Sequence, residues 1–155
     1  MERGGAELLT NAFDHSLSPI GCLVASLRDD SGMVDCAVAD AGIGIPGALR
    51  QSLRPDIAGG QQTDTELLVQ AVTSGLTSRR ERSGGLGLGN VRQQVVMRDG
   101  VMTIRSLSAA ASFGPGLHVQ GEEPRSRLGG TTVHARFDPR RPLHDSNGRE
   151  QVEVF

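Results

Sequence analysis

The chain contains no lysine: its 16 basic residues are all arginines, set against 18 acidic ones. That absence excludes a G-x-x-x-x-G-K-[ST] phosphate loop and the strand lysine of the protein-kinase fold. Tryptophan and tyrosine are missing too, and with four phenylalanines the chain cannot build the aromatic platforms that stack single-stranded nucleic acid. A net charge of −2 supplies no field to gather nucleic acid or an anionic membrane. No uncharged apolar run approaches the ~18 residues of a membrane-spanning helix. Charged Glu2, Arg3, Glu7 and Asp14 argue against a secretory signal, so a cytoplasmic location is expected. Cys22 and Cys36 form no CxxC pair and lie in apolar stretches, as buried thiols do in a reducing compartment. His15, His118, His134 and His144 are scattered without the spacing of a zinc site.

What is present suits one domain. A chain of 155 residues, 37% hydrophobic, can bury one core. Leu8, Leu9, Ala12 and Phe13 recur at helical spacing within residues 5–16. Residues 21–27 and 33–39 alternate as strands around the turn Asp29-Asp30-Ser31-Gly32, a hairpin pattern. A glycine-rich turn over 41–47 leads into a short segment at 48–53, then a loop over 54–62. Residues 64–74 predict a helix capped by Thr63 or Asp64, with Glu66 in its first turn. Residues 90–97 predict another helix. Strands are expected at 101–107, at 113–119 and at 131–137, and the polar stretch 138–155 is expected to be a disordered tail. Strands that come as hairpins as often as helix-separated units indicate a two-layer α/β sandwich with a mostly antiparallel sheet.

Four segments could carry chemistry. In ELLTNAFDHS, Glu7 and Asn11 are four apart and share a helix face, giving hard oxygen ligands for Mg²⁺ or a base that orients water. Alone, the segment also reads as the solvated side of an amphipathic helix. In VADAGIGIP, Asp40 closes an apolar strand, and Gly42 and Gly44 permit a tight turn beside a ligand. A carboxylate there could accept from an adenine amino group. Gly42, Gly44 and Gly47 also satisfy a dinucleotide fingerprint in form, but Pro46 interrupts the turn and Pro55 breaks the short segment after it. In SGGLGLGN, glycines run into a helix N-terminus, whose free amides hold phosphate without lysine. Arg79, Arg80 and Arg82 precede it and could add charge-assisted contacts. The fourth segment, GGTTVHARF, is a glycine turn entering a strand.

In this order the segments resemble the GHKL superfamily of ATPases. ELLTNAFDHS is similar to its N box, VADAGIGIP to its D-x-G-x-G box, GGLGLGNVRQQV to the G-x-G-L-G-L box of histidine kinases, and GGTTV to its terminal G-T element. The resemblance runs from Glu7 to Phe137. It implies the Bergerat fold in a domain over 1–137, a mixed and mostly antiparallel sheet covered by helices on one face, with a lid over about 47–84. It implies ATP and Mg²⁺ as ligands. Asn11 would hold the metal, and Glu7 stands where hydrolysing branches keep their water-activating acid. Asp40 would accept from the adenine amino group, with Thr131 supporting through a water and Gly42 and Gly44 shaping the pocket. Arg79, Gly85, Leu86, Gly87 and Leu88 would meet the phosphates. Glu7 lies nearer the start than an N box usually does, so elements preceding it in relatives are missing from this sequence or replaced.

The histidine-kinase form of the glycine box implies a module that presents ATP for phosphoryl transfer in a two-component signalling system. The acceptor protein or domain would lie outside this chain, no nucleic acid or membrane partner is implied, and homodimer formation is left open. A slow ATPase, an anti-sigma-type serine kinase and a non-catalytic nucleotide switch share the resemblance and remain alternatives.

Overall fold

The computed structural model describes residues 23–28, 30–52, 62–74, 87–115 and 128–142. In chain order these form β1 (Leu23–Arg28), β2 (Val34–Asp40), α1 (Ile45–Ser52), α2 (Asp64–Thr73), α3 (Gly87–Val96), β3 (Val101–Leu107), β4 (Ala109–Phe113) and β5 (Leu128–Phe137). The strands make one five-stranded sheet in the order β1-β2-β5-β3-β4, and every pairing among the described residues is antiparallel. The last of the described strands, β5, thus lies at the centre, joining two hairpins.

Register converts the period of two in each strand into rows across the sheet. On the face toward the helices, Cys36, Ala135, Met102 and Phe113 align, followed by Val38, Val133, Ile104 and Ala111. These residues pack with Leu68, Val69 and Val72 of α2 and Val91 and Val95 of α3 in one core cluster. The alternate positions include Asp35, Thr103, Arg105, His134 and Arg136, a polar set on the opposite face. Asp35 there accepts from His134 Nε2 at 3.1 Å and pairs with Arg136 at 3.4 Å. The result is a two-layer α/β sandwich with its described helices on one face.

Three elements differ from expectation. Of the strand anticipated over 113–119, Phe113 closes β4 (Ala109–Phe113), residues 114 and 115 are not in a strand, and 116–119 lie outside the described residues. Leu107 adopts φ 56°, so the chain reverses within Leu107-Ser108 and alanines enter the sheet at once. The last helix begins at Gly87, three positions earlier than expected, with Gly87 and Gly89 inside its first turn. Gly89 suits that place because a Cβ would lie 3.3 Å from the carbonyl oxygen of Val72, which brings α3 close against α2. The segment expected at 48–53 is the helix α1, with Pro46 in its first turn, where a missing N–H costs nothing. Residues 138–142, placed in the expected tail, are described: Arg140 donates to the carbonyl of Ser31 at 2.6 Å and pairs with Asp138. The helix expected over 5–16 and residues 143–155 lie outside the described residues.

The start of α2 is held twice. Thr63 caps it and closes a capping box with Glu66, satisfying two amides that the helix leaves open. The next residue, Asp64, accepts from the Ser108 amide at 3.1 Å and its hydroxyl at 2.5 Å, and from Arg50 at 2.5 Å. Burial works against the ionised carboxyl, but the Ser108 and Arg50 hydrogen bonds outweigh it and hold its pKa below the ordinary 3.8. Arg50 is 43% exposed, so its attraction is screened and the Ser108 bonds dominate. Asp64→Ala is expected to cost about 1–2 kcal/mol near neutral pH. A depressed pKa stabilises the fold above the ordinary value, and that contribution is lost as pH falls through the folded one. Urea unfolding of both proteins at pH 7 and in acid checks it: the gap between them closes on acidification.

Candidate functional site

The third row of the sheet's inner face breaks the apolar pattern. Asp40, Thr131 and Ser106 are direct cross-strand partners on β2, β5 and β3, one step beyond Val38, Val133 and Ile104. A polar row at the edge of an apolar face needs its own hydrogen bonds. Here they come from the loops at that end.

Asp40 ends β2, and the chain turns at once through Gly42 and Gly44. Its Oδ1 accepts the Gly42 amide at 2.8 Å, and the backbone of Thr131 contributes a second hydrogen bond. Burial raises the Asp40 carboxyl above its ordinary range, and the two backbone bonds only partly offset this. Its acceptor capacity is incompletely used, since an ionised carboxylate has about four lone-pair sites. A half-buried carboxylate with spare acceptor sites suits a neutral N–H donor such as an aromatic amino group.

Two glycines let the surrounding backbone close in. Gly44 has φ 74°, and a Cβ there would sit 2.8 Å from both Leu107 Cγ and Ser106 Oγ. Gly130 has φ 92°, and its Cβ would lie 2.0 Å from the Asp40 carbonyl oxygen. The left-handed conformation excludes most side chains at either place. Gly44 also accepts the first helical bond of α1, from the Ala48 amide at 2.9 Å.

Ser106 joins the parts. Fully buried, it accepts the Ile45 amide at 2.9 Å, donates toward the Gly130 carbonyl at 3.2 Å and shares a hydrogen bond with Thr131 Oγ1 at 2.9 Å. One hydroxyl therefore ties the N-terminus of α1 to β3 and β5. Ser106 belongs to no sequence motif, yet Met102, Ile104 and Ser106 share one phase of β3, so a polar side chain falls in the inward set.

Of the residues singled out from sequence, Asp40, Gly42, Gly44 and Thr131 are brought together at this end of the sheet. Gly87 is buried in the first turn of α3, and the half-buried Leu88 beside it packs on the core. Glu7, Asn11, Arg79, Gly85 and Leu86 lie outside the described residues. No cluster of three His, Cys, Asp or Glu side chains suited to a metal occurs among the described residues. No described helix is long and apolar enough to cross a membrane. Cys36, the other inward polar group, is a free thiol whose Sγ donates to the Ala135 carbonyl at 3.6 Å. Burial, then the neighbouring Asp35, push its pKa up, which disfavours the reactive thiolate.

The family model described as histidine kinase-, DNA gyrase B- and HSP90-like ATPase matches residues 3–141. Among solved structures, the chain is similar to the 43K ATPase domain of Thermus thermophilus gyrase B in complex with an aminocoumarin, at 21% identity and a TM-score of 0.45. That alignment covers 92% of this chain and 36% of the other, so the chain spans about a third of that structure's length. No curated protein matches.

Proposed function

The chain belongs to the histidine kinase-, DNA gyrase B- and HSP90-like ATPase family, and from that premise we propose that it is a Mg²⁺-dependent ATP-binding module of histidine-kinase type. It would present ATP for phosphoryl transfer to an acceptor carried by a partner or by a region beyond this sequence, within a cytoplasmic signalling system. The observation carrying this reading is the half-buried Asp40 carboxylate with spare acceptor sites, set between Gly42 and Thr131 at the end of β2. In the proposed complex Asp40 accepts the adenine amino proton, while Gly42 and Gly44 admit the base against backbone.

The phosphates would lie toward the start of α3, which Gly85 and Leu86 precede in sequence and Gly87 and Leu88 open, since amides at a helix start favour anions. Arg79 would add charge. Asn11 would hold Mg²⁺, which supplies charge neutralisation on the phosphates. Phosphoryl transfer asks a protein mainly for positioning and electrostatic stabilisation, and glycine amides with arginines can do that without lysine. Glu7 would orient the attacking group. The histidine-kinase form of the SGGLGLGN segment favours transfer over hydrolysis.

Thermal unfolding with ATP, ADP and GTP, each with and without Mg²⁺, tests the proposal. Circular dichroism or an added dye serves as the readout, since the chain has no Trp or Tyr. A ligand at a hundred times its Kd adds about 2.7 kcal/mol. An adenine-selective, Mg²⁺-enhanced shift is expected; a folded sample that shifts with none of them overturns the reading. Phosphate release by the chain alone, abolished in Glu7→Ala, would replace transfer by hydrolysis.

A further inference from the structure

Ser106 touches no part of the proposed ligand, yet its protons and lone pairs decide what Thr131 can offer. A hydroxyl has one proton and two lone pairs. The Ile45 amide fills one lone pair of Ser106, and the Gly130 carbonyl can only accept. All three contacts are satisfied together in a single arrangement. In it Ser106 gives its proton to Gly130, and Thr131 gives its own proton to Ser106. The reverse polarity, with Ser106 donating to Thr131, forfeits the Gly130 contact. Buried hydroxyls settle into the fully paired pattern, because an unmade bond there is not replaced by water. Ser106 is 0% exposed and Thr131 8%.

We propose that Ser106 is a positioning residue for base selection: by taking the Thr131 proton it leaves Thr131 an acceptor, so that Asp40 and Thr131 present adjacent acceptors which favour a 6-aminopurine and repel a 6-oxopurine. This rests on the adenine-nucleotide reading above. An amino group brings two protons to such an edge. A carbonyl oxygen brings none, and it meets lone pairs on both sides. Without the Ser106 hydroxyl, Thr131 regains a free proton that it can turn toward a 6-oxo group.

The test compares Kd values for ATP and ITP, whose bases differ at the 6-position and in the proton on N1, by calorimetry. Wild type, Ser106→Ala, Ser106→Cys, Thr131→Val and the double variant Ser106→Ala with Thr131→Val are measured. Ser106→Cys nearly keeps the side-chain volume and offers a poor acceptor, so it carries the test should the alanine variant fold badly. In either Ser106 variant the ATP-over-ITP preference is expected to fall about tenfold, the worth of one hydrogen bond. ATP weakens while ITP tightens, a divergence that a merely loosened fold would not produce. Adding Ser106→Ala to Thr131→Val should change the preference no further. Unchanged preference in both Ser106 variants, with a discriminating wild type, overturns this inference alone. A wild type that binds ATP and ITP equally overturns the adenine reading and this inference with it.

Discussion

Asp40→Asn is expected to bind ATP about 10- to 100-fold more weakly than wild type, the span that hydrogen bonds to a charged group cover. Its folding should change little. The carboxylate sits where burial already disfavours its charge, and an amide oxygen can still accept from Gly42. Removing a charge that the fold holds at a cost offsets what the weaker acceptor loses, leaving stability within about 1 kcal/mol of wild type. The two consequences have opposite pH dependence. A raised carboxyl pKa means that the folded protein without nucleotide gains stability from Asp40 as pH falls, and loses it as pH rises through the folded value. In the proposed complex the nucleotide needs the ionised acceptor, so the stabilisation by ATP is expected to grow over that same rise. Unfolding midpoints measured with and without ATP from acid to neutral pH should therefore spread apart for wild type. They should stay nearly parallel for Asp40→Asn.

Gly130→Ala should damage the fold more than any of the other substitutions, costing about 3–5 kcal/mol. It forces φ 92° on a residue with a Cβ and sets that atom 2.0 Å from the Asp40 carbonyl oxygen. Neither conflict yields to a side-chain rotation, because the obstruction is the backbone of the neighbouring strand. To relieve it, β2 and β5 must separate where Asp40 and Thr131 face each other. Binding should therefore be lost along with stability. Gly129 is the internal control: a Cβ there meets nothing within 4 Å, and Gly129→Ala should leave both nearly unchanged. Denaturant titration of the pair checks this. Equal midpoints would mean that β2 and β5 do not approach so closely.

How much of the fold could be read in advance varied with the physics of each element. Val101–Leu107 carries its alternation openly, and Thr63 with Glu66 announces the start of α2 three residues apart. Strand β4 is harder to read, because alanines carry little strand propensity of their own. Their small size matters only once α2 lies over them. The reversal before it uses a leucine with positive φ, where a glycine would have marked the turn. The start of α3 was misplaced because Gly87 and Gly89 look like loop residues, and only packing against Val72 explains a glycine inside the helix. Within the site, Asp40, Gly42, Gly44 and Thr131 stood out by motif. Ser106 belongs to no motif, and its part depends on three partners distant in sequence.

The central place of β5 also bears on how the molecule is made. Its cross-strand pairs with β2 join residues about a hundred positions apart in the chain, among them Cys36 and Ala135, 99 positions apart. Such long loops must close before their contacts return any stabilisation, which slows folding. During synthesis the two hairpins can form early, but no strand pairs one with the other until β5 leaves the ribosome. Until then the apolar rows of both hairpins lack their central strand, and the chain depends on protection from aggregation. A ribosome-bound chain ending before residue 128 would lack Thr131 and leave Asp40 and Ser106 on strands with no pairing partner between them. Nucleotide-dependent protease resistance should therefore emerge in one step, once β5 clears the exit tunnel.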